Sequence, residues 1–289
     1  MTSAIAVWRI TRTLLTFIAL RLVIEQIRRP HHSSRGHILD LVQQFWLFVI
    51  ALVANLFSAF SGGGAGLVQL PALIFLGLPF PVALATHKVA SVALGLGATL
   101  RHRREGGIDW RFAGFILICG LPGVVLGASI ILSVPDRAAE IALGILTSAL
   151  GIYSILRPSL GQEARRKHRD RRGFLIGGSV LFLIGALNGS LTSGTGLFVT
   201  LWLIGWFGLD YRAAVTYTLI LVGLFWNGMG ALTLGLLGEI AWDWLPALLL
   251  GSLLGGYLGA HLAIKKGNRW IKRGFEVVTL AVGAKLIIG

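Results

Sequence analysis

Two glycine-rich segments interrupt apolar stretches of this chain, and both could present backbone N–H groups to a ligand. They are "SGGGAG" at residues 61–66 and "LTSGTG" at residues 191–196. A short apolar stretch follows each, so each segment can precede a short helix whose first N–H groups attract an anion. The candidate substrate-binding residues in these segments are Gly62, Gly63, Gly64, Gly66, Thr192, Ser193, Gly194, Thr195 and Gly196.

Glycine in an apolar stretch has an alternative role, which is to let two helices approach closely. Scattered glycines are interpreted in that way, for example Gly95, Gly97, Gly144 and Gly151. Three consecutive glycines, matched by a second break later in the chain, favour a binding role instead. A phosphate-binding P-loop is excluded, because no Gly-Lys-Ser/Thr ending follows either segment.

A lysine lies close to the start of an apolar span, in the segment "ALATHKVAS" at residues 83–91. An ionisable residue in a span is a functional candidate, and Lys88 could neutralise an anionic substrate. The alternative is that its side chain extends to the membrane interface. His87 beside it could titrate near neutral pH or donate hydrogen bonds.

Other polar residues of the apolar spans complete the candidate set. Thr86 and Thr216 occupy equivalent positions in the two halves, and both are candidate substrate ligands. Asn188 is a further candidate. The alternative for Asn188, and for Asn227, is that the side chain only bridges helices by hydrogen bonds, which is the commoner role of such residues.

Groups for catalysis or metal binding are scarce. Glu140 and Glu276 lie near span ends, and the span interiors contain almost no carboxylates, which argues against a carboxylate-based proton or sodium site. The single cysteine, Cys119, excludes an internal disulfide and lacks a partner for a metal site. The sequence therefore predicts neither an enzyme nor a cofactor or metal site.

The elements that must position these residues are membrane helices. Hydrophobic residues make up 55% of the 289 residues and charged residues 13%, against about 25% charged in globular domains. Recurring apolar runs of about 20 residues predict an all-α, polytopic membrane protein. The net charge of +14 lies mainly in loops between these runs, as the positive-inside rule places it, so nucleic-acid binding is not predicted.

The apolar runs predict about eight full spans and two half-helices. The predicted full spans lie near 41–60, 82–100, 112–132, 137–156, 174–192, 213–235, 243–264 and 270–288. The half-helices, 66–78 and 195–207, are too short to cross the bilayer. The predicted regions are an N-terminal amphipathic or peripheral segment and linker (1–36), a first transmembrane repeat (37–156), a basic cytoplasmic loop (157–172) and a second repeat (173–289).

The two halves resemble each other in sequence. A shift of 130 residues superposes Gly64 on Gly194 and Gly66 on Gly196, and a shift of 132 superposes "IDW" on "IAW". Basic residues switch sides between equivalent loops, as inverted-topology repeats require. This pattern places loops 101–111, 157–172 and 265–273 in the cytoplasm.

The first half also resembles a known family. The segment "GGGAGLVQLPALIFLGLPFPVALATHK" (62–88), with "IDW" and "LPGVVLGA" downstream, is similar to the sulfite exporter TauE/SafE family of membrane proteins. The resemblance covers roughly residues 40–289. It implies an inner-membrane permease of bacterial type for small sulfur-containing anions such as sulfite or organosulfonates.

The predicted function is a membrane transporter for a small anion, such as sulfite or a sulfonate, with its site between the two glycine-rich breaks and alternating access by rocking of the repeats. Two alternatives stay open: a channel-like anion pore and a non-transporting membrane scaffold. The predicted partners are a small inorganic or organic anion and the lipid bilayer, and the sequence leaves a homo-oligomer open.

Overall fold

The computed structural model describes residues 34–103, 108–130, 136–191 and 194–288. Most of the predicted N-terminal segment, residues 1–36, lies outside the described residues, as do Thr192 and Ser193 of the second glycine-rich segment. The first described helix, Ser34–Ser61, includes the last residues of the predicted linker.

Every regular element among the described residues is helical, which confirms the all-α prediction. The helices are α1 (Ser34–Ser61), α2 (Gly66–Phe75), α3 (Phe80–His102), α4 (Trp110–Ile130), α5 (Asp136–Leu156), α6 (Arg171–Ser190), α7 (Thr195–Gly205), α8 (Tyr211–Leu237), α9 (Leu245–Lys266) and α10 (Asn268–Ile288). A short 3₁₀ turn, Trp242–Trp244, precedes α9.

Six of the described helical segments are long and apolar enough to cross a membrane: Leu41–Ser61, Phe80–His102, Trp110–Ile130, Arg171–Ser190, Tyr211–Leu237 and Trp242–Lys266. Two of the eight predicted full spans correspond to α5 and α10, which are not among these six. In α5 the segment Thr147–Leu156 is counted as a shorter apolar helix, and α10 carries Lys272, Arg273 and Glu276 near its start. The count of eight spans and the inverted repeats stay predictions.

Glycines bring the long helices into backbone contact. Helix α1 packs on α9, and a Cβ added at Gly251 or Gly255 would lie 2.5 Å from a carbonyl oxygen of α1. Helix α4 packs on α6, where Gly123 and Gly127 face carbonyl oxygens of α6 in the same way. Small residues allow this approach in membrane helices.

The packing role predicted for Gly95 and Gly97 is confirmed. A Cβ on Gly95 would lie 2.7 Å from the backbone of Gly223, where α3 crosses α8. A Cβ on Gly97 would overlap the carbonyl oxygen of Leu253 on α9. Both glycines therefore hold α3 at the centre of the helix bundle.

Helix α8 changes its hydrogen-bond pattern midway along its length. Residues Thr218–Trp226 form a π-helix, in which each N–H bonds five residues back, between two α-helical parts. Stretches of this kind are rare and occur frequently at functional sites. Every residue of this stretch is buried.

Three basic loops gather on one face of the molecule. Asp109 donates its backbone N–H to the Tyr217 hydroxyl (2.7 Å), and Arg169 lies 4.0 Å from the ring centre of Phe112. The side chain of Asn268, at the start of α10, donates to the carbonyl of Gln162 (3.0 Å). The first contact fixes loop 101–111 to α8, the second fixes loop 157–172 to α4, and the third joins loop 265–273 to loop 157–172.

Arg169 holds the basic loop against the helices at this face. Its guanidinium also lies 5.2 Å from the ring centre of Phe207. Burial among these rings lowers the pKa of Arg169, and the neighbouring Arg166 adds to the shift. At Arg169, the basic loop 157–172 is therefore packed against α4 and the residues that follow α7.

Candidate functional site

The two glycine-rich breaks lie in direct contact. Gly62, Gly63 and Gly64 connect α1 to α2 and have φ values of +89°, +145° and +102°. Residues with a Cβ atom rarely adopt such φ values, which accounts for glycine at these positions. A Cβ on Gly63 would lie 2.6 Å from the carbonyl carbon of Gly196 and the N of Leu197, so the first break packs on the start of α7.

Hydroxyl groups of α7 and α8 fix the first break. Thr200 donates to the carbonyl of Gly62 (2.7 Å), and its Oγ1 lies 2.9 Å from the Thr218 hydroxyl. Thr200 is fully buried and Thr218 nearly so. The carbonyl that the break frees from helix α1 is therefore satisfied by the second half of the chain, as buried backbone groups require.

A chain of hydrogen bonds fixes the second break. Lys88 Nζ, on α3, lies 2.7 Å from the carbonyl oxygen and 3.3 Å from the side-chain Oδ1 of Asn188 and donates to both. Asn188, near the end of α6, donates through Nδ2 to Thr195 Oγ1 (2.8 Å). Thr195 begins α7 after Gly194, whose φ is +74°. The fully buried Lys88 is therefore bonded to Asn188 before the break and is linked through Asn188 to Thr195 after it.

A cavity of about 40 Å³ lies between the breaks. Its walls come from the first break, from α3, from the second break and from the π-helical part of α8. The lining residues are Ser58, Gly63, Gly64, Ala65, Gly66, His87, Ser91, Leu94, Asn188, Thr195, Gly196, Thr218, Leu219, Val222, Gly223 and Asn227.

Two buried polar atoms on the cavity wall have no hydrogen-bond partner among the described residues. They are Nδ1 of His87 and Oδ1 of Asn227. His87 Nε2 lies 3.2 Å from the Ser91 hydroxyl, so when Ser91 donates to it, Nδ1 carries the proton of the neutral ring and can donate. Buried polar groups normally have partners, and these atoms are therefore suited to a polar ligand in the cavity.

The cavity lining carries no carboxylate among the described residues. Its polar groups are hydroxyls, amides, an imidazole and glycine backbone, with the Lys88 ammonium behind Asn188. Glu276 lies elsewhere, where it forms an ion pair with Lys272 and accepts from Ser154. Groups of three or more potential metal-binding side chains are absent from the described residues. The hydroxyl, amide and imidazole groups of the lining can donate hydrogen bonds to a ligand in the cavity.

Most of the predicted site residues are brought together. Seven of them line the cavity: Gly63, Gly64, Gly66, His87, Asn188, Thr195 and Gly196. Gly62, Lys88 and Gly194 belong to the same breaks or contact them without lining the cavity. Thr192 and Ser193 lie outside the described residues.

Thr86 and Thr216 lie away from the cavity and do not meet. Thr86 Oγ1 accepts from the N–H of Ala241, just before α9 (2.9 Å). Thr216 donates to the carbonyl of Arg212 (2.8 Å), and its Oγ1 lies 3.1 Å from Nδ1 of His102. Both threonines lie near the start of their helices. Thr86 of α3 contacts the loop that follows α8, and Thr216 of α8 contacts the last residue of α3.

Ser58, Ser91 and Thr218 line the cavity but were not among the predicted site residues, and Asn227 was predicted as an intramembrane polar residue whose commoner role is to bridge helices. The sequence repeat does point to two of these residues, Ser58 and Thr218. The 130-residue shift pairs Ser58 with Asn188 and Lys88 with Thr218. Ser91 has no such counterpart, because its equivalent is Leu221.

The sequence matches the family described as Sulfite exporter TauE/SafE over residues 47–286. A "Probable membrane transporter protein" of Haemophilus influenzae is 30% identical over 243 residues, which cover 83% of this chain and 93% of that protein. The "Probable membrane transporter protein YfcA" of Escherichia coli K12 is 28% identical, with 83% and 88% covered. The "Probable membrane transporter protein YunE" of Bacillus subtilis is 22% identical, with 83% and 96% covered.

No solved structure matches the chain significantly. The matched residues include both glycine-rich breaks and every residue that lines the cavity. Together with the six helices of the described residues that are able to cross a membrane, these similarities identify a multi-pass integral membrane protein. The chain belongs to the TauE/SafE sulfite exporter family of membrane transporter proteins.

Proposed function

We propose that this protein is a secondary transporter of a small sulfur-containing anion, sulfite or a small sulfonate, and that the anion binds in the cavity between the two breaks. The observation that carries the proposal is the lining of this cavity. It combines glycine backbone from both breaks with hydroxyl, amide and imidazole groups, and none of the described lining residues is acidic.

The size of the cavity favours the smaller substrates. Its volume is about 40 Å³, whereas one water needs roughly 10–15 Å³ on a comparable measure. A small oxyanion such as sulfite fits this space better than an extended organosulfonate does. A longer sulfonate requires the two breaks to move apart.

Lys88 acts through Asn188 in this proposal. Its Nζ lies 3.3 Å from Asn188 Oδ1, and Asn188 lines the cavity. The ammonium orients the amide so that its Nδ2 faces Thr195. It also places a positive charge close to the anion, in surroundings where water screens it weakly.

The burial of the site supports a carrier over a continuous pore. His87, Ser91 and Asn188 are each 2% exposed and Thr195 is fully buried, so in this conformation these polar side chains of the cavity are almost completely shielded from solvent. A carrier must open such a site to each side in turn.

The packing of the halves supports an inverted repeat. The first helix of each half, α1 or α6, packs on the fourth helix of the other half, α9 or α4. Two halves related by a two-fold axis would show this pattern, in which each half packs its first helix on the fourth helix of the other half. Rocking of one half against the other would then expose the cavity alternately.

Counterflow in proteoliposomes tests this proposal. Purified protein is reconstituted, the vesicles are loaded with unlabelled sulfite, and uptake of labelled sulfite is measured. We expect loading to accelerate uptake and methanesulfonate to compete with it. Flux without acceleration indicates a pore. The transport proposal is contradicted if neither labelled sulfite nor, in a parallel assay, labelled methanesulfonate enters the vesicles.

A further inference from the structure

A second cavity, of about 380 Å³, lies at the face where the three basic loops gather. The loop after α5 forms one wall and the junction of α7 with α8 forms the other. Its volume falls within the range of roughly 300–1,000 Å³ that is usual for small-molecule sites. The residues that line it are Tyr153, Arg157, Ser159, Leu160, Gly161, Gln162, Glu163, Arg165, Lys167, Ile204, Gly205, Gly208 and Leu209.

Backbone hydrogen bonds hold the loop in place around this cavity. Arg165 donates its N–H to the carbonyl of Gly208 (2.8 Å), and Lys167 donates to that of Phe207 (3.2 Å). Tyr211 donates to the carbonyl of Gly161 (2.8 Å). Gly208 has a φ of +70°, and a Cβ there would overlap the carbonyl of Arg165. The walls of the cavity are therefore fixed by backbone hydrogen bonds and close packing.

The charges of this cavity favour an anion. Arg157, Arg165 and Lys167 line it against one carboxylate, Glu163. The Arg165–Glu163 pair is 3.4 Å long with side chains 79% and 77% exposed, so it is weak and easily exchanged. Guanidinium groups bind phosphate oxygens in a bidentate manner.

A buried hydrogen-bond donor adds an independent indication of a ligand. Nε2 of Gln162, which lines the cavity, is buried and has no hydrogen-bond partner among the described residues. The main chain of the same residue is anchored, because its carbonyl accepts from Asn268 (3.0 Å). An amide N–H held in this way can donate to a phosphate oxygen.

The position of the cavity allows two sources of phosphate. Tyr153 is 44% exposed and Leu156 is 72% exposed at the end of α5, and exposed apolar and tyrosine side chains at a helix end are typical of the membrane interface. The cavity therefore lies near headgroup level, where a lipid phosphate or a soluble phosphate ester can reach it. Basic pockets at this level can bind anionic lipid headgroups.

We propose that this cavity binds a phosphate-bearing anion, through Arg157, Arg165, Lys167 and the Gln162 amide. The site is separate from the central cavity, but α7 connects them. Ile204 and Gly205 near the end of α7 line the phosphate site, and Thr195 at its start lines the central cavity. A bound phosphate would join the basic loop to the end of this helix.

Thermal unfolding of the full chain in lipid nanodiscs tests the proposal. One arm adds glycerol 3-phosphate to phosphatidylcholine nanodiscs, and the other replaces part of the phosphatidylcholine with phosphatidylglycerol. The pocket variant is Arg157→Gln/Lys167→Gln. The matched control is Arg166→Gln/Arg172→Gln, which removes the same charge from exposed residues that do not line the cavity.

We expect the unfolding midpoint of the wild type to rise by about 2 °C or more in at least one arm, since a ligand of the folded state stabilises it. The control variant should keep this rise and the pocket variant should lose it. A rise with lipid alone identifies a headgroup as the source, and a rise with the ester identifies a soluble ligand. The proposal is overturned if neither arm produces a rise, or if both variants respond equally.

Discussion

The two glycine-rich breaks are equivalent in sequence position, yet they contribute different groups to the central cavity. The first presents three consecutive glycines with positive φ, and backbone is all that they can offer. Among the described residues of the second break, Gly194 has a positive φ and Thr195 follows it. Thr195 and Asn188 bring side-chain groups to the cavity wall from this side.

This difference indicates a division of roles. The first break owes its shape to close backbone contact, since Gly63 leaves no room for a side chain against Gly196. The second break owes its shape to hydrogen bonds that begin at Lys88. Steric substitutions should therefore be most harmful in the first break, and polar substitutions in the second.

The largest effect is expected for Gly63→Ala. Its Cβ would lie 2.6 Å from backbone atoms of Gly196 and Leu197, and the backbone angle is one that alanine rarely adopts. Overpacking typically costs about 1–3 kcal/mol, and strained φ adds about 1–3 kcal/mol. We expect loss of sulfite counterflow and a clearly lower unfolding midpoint, measured in the same preparation.

Gly64→Ala is the matched control for this substitution. Its φ is also positive, but the nearest atoms to its Cβ are side-chain carbons of Leu67 and Val278, at 3.1 and 3.3 Å. These side chains can shift, so the loss should be smaller. Equal losses in the two variants would show that backbone contact between the breaks is unimportant.

An intermediate effect is expected for Lys88→Met, which retains an unbranched side chain and removes the ammonium. Asn188 loses the donor at its carbonyl and its Oδ1. Hydrogen bonds from charged groups contribute about 1.5–3 kcal/mol, which corresponds to a loss of roughly tenfold or more in sulfite affinity. Titration of the counterflow rate with sulfite measures this change, and an unchanged half-saturation concentration would remove Lys88 from the site.

The smallest effect is expected for Gly194→Ala. The nearest atoms to its Cβ would be 3.6 Å away, which is ordinary contact, although φ is +74°. The cost is then that of the left-handed backbone alone, about 1–2 kcal/mol. Counterflow should stay within about twofold of the wild type, because no cavity-lining group is changed. Complete loss of flux would give the second break the steric role assigned to the first.

The pairing of the breaks was predictable from the sequence. The 130-residue shift superposes Gly64 on Gly194 and Gly66 on Gly196, and a broken helix in apolar surroundings needs partners for its freed backbone groups. That requirement favours contact between the two breaks, which the structure shows. The apolar runs likewise predicted the helices, although α10 carries too many charges near its start to count among the six.

The contacts across the bundle were not predictable. Thr86 and Thr216 are equivalent in sequence, but their directions depend on how α3 crosses α8, and neither faces the cavity. The π-helix of α8 has no sequence signal that we recognise, and it determines where Thr218 and Asn227 lie. Lys88 was predicted as a ligand by its charge, but Asn188 lies between it and the cavity.

The proposed binding of a small anion between the breaks places the anion next to Asn188. The most direct test of this position compares sulfite binding by the wild type and by Asn188→Asp. Binding is measured as the shift that sulfite causes in the unfolding midpoint. The substitution preserves shape, but it places a carboxylate at the cavity wall within reach of Lys88. Asn188→Ala is the neutral comparison.

We predict that sulfite stabilises the wild type, stabilises Asn188→Ala less, and fails to stabilise Asn188→Asp, because the carboxylate repels the anion and pairs with the ammonium of Lys88. Equal stabilisation of wild type and Asn188→Asp by sulfite would show that the anion does not bind next to Asn188.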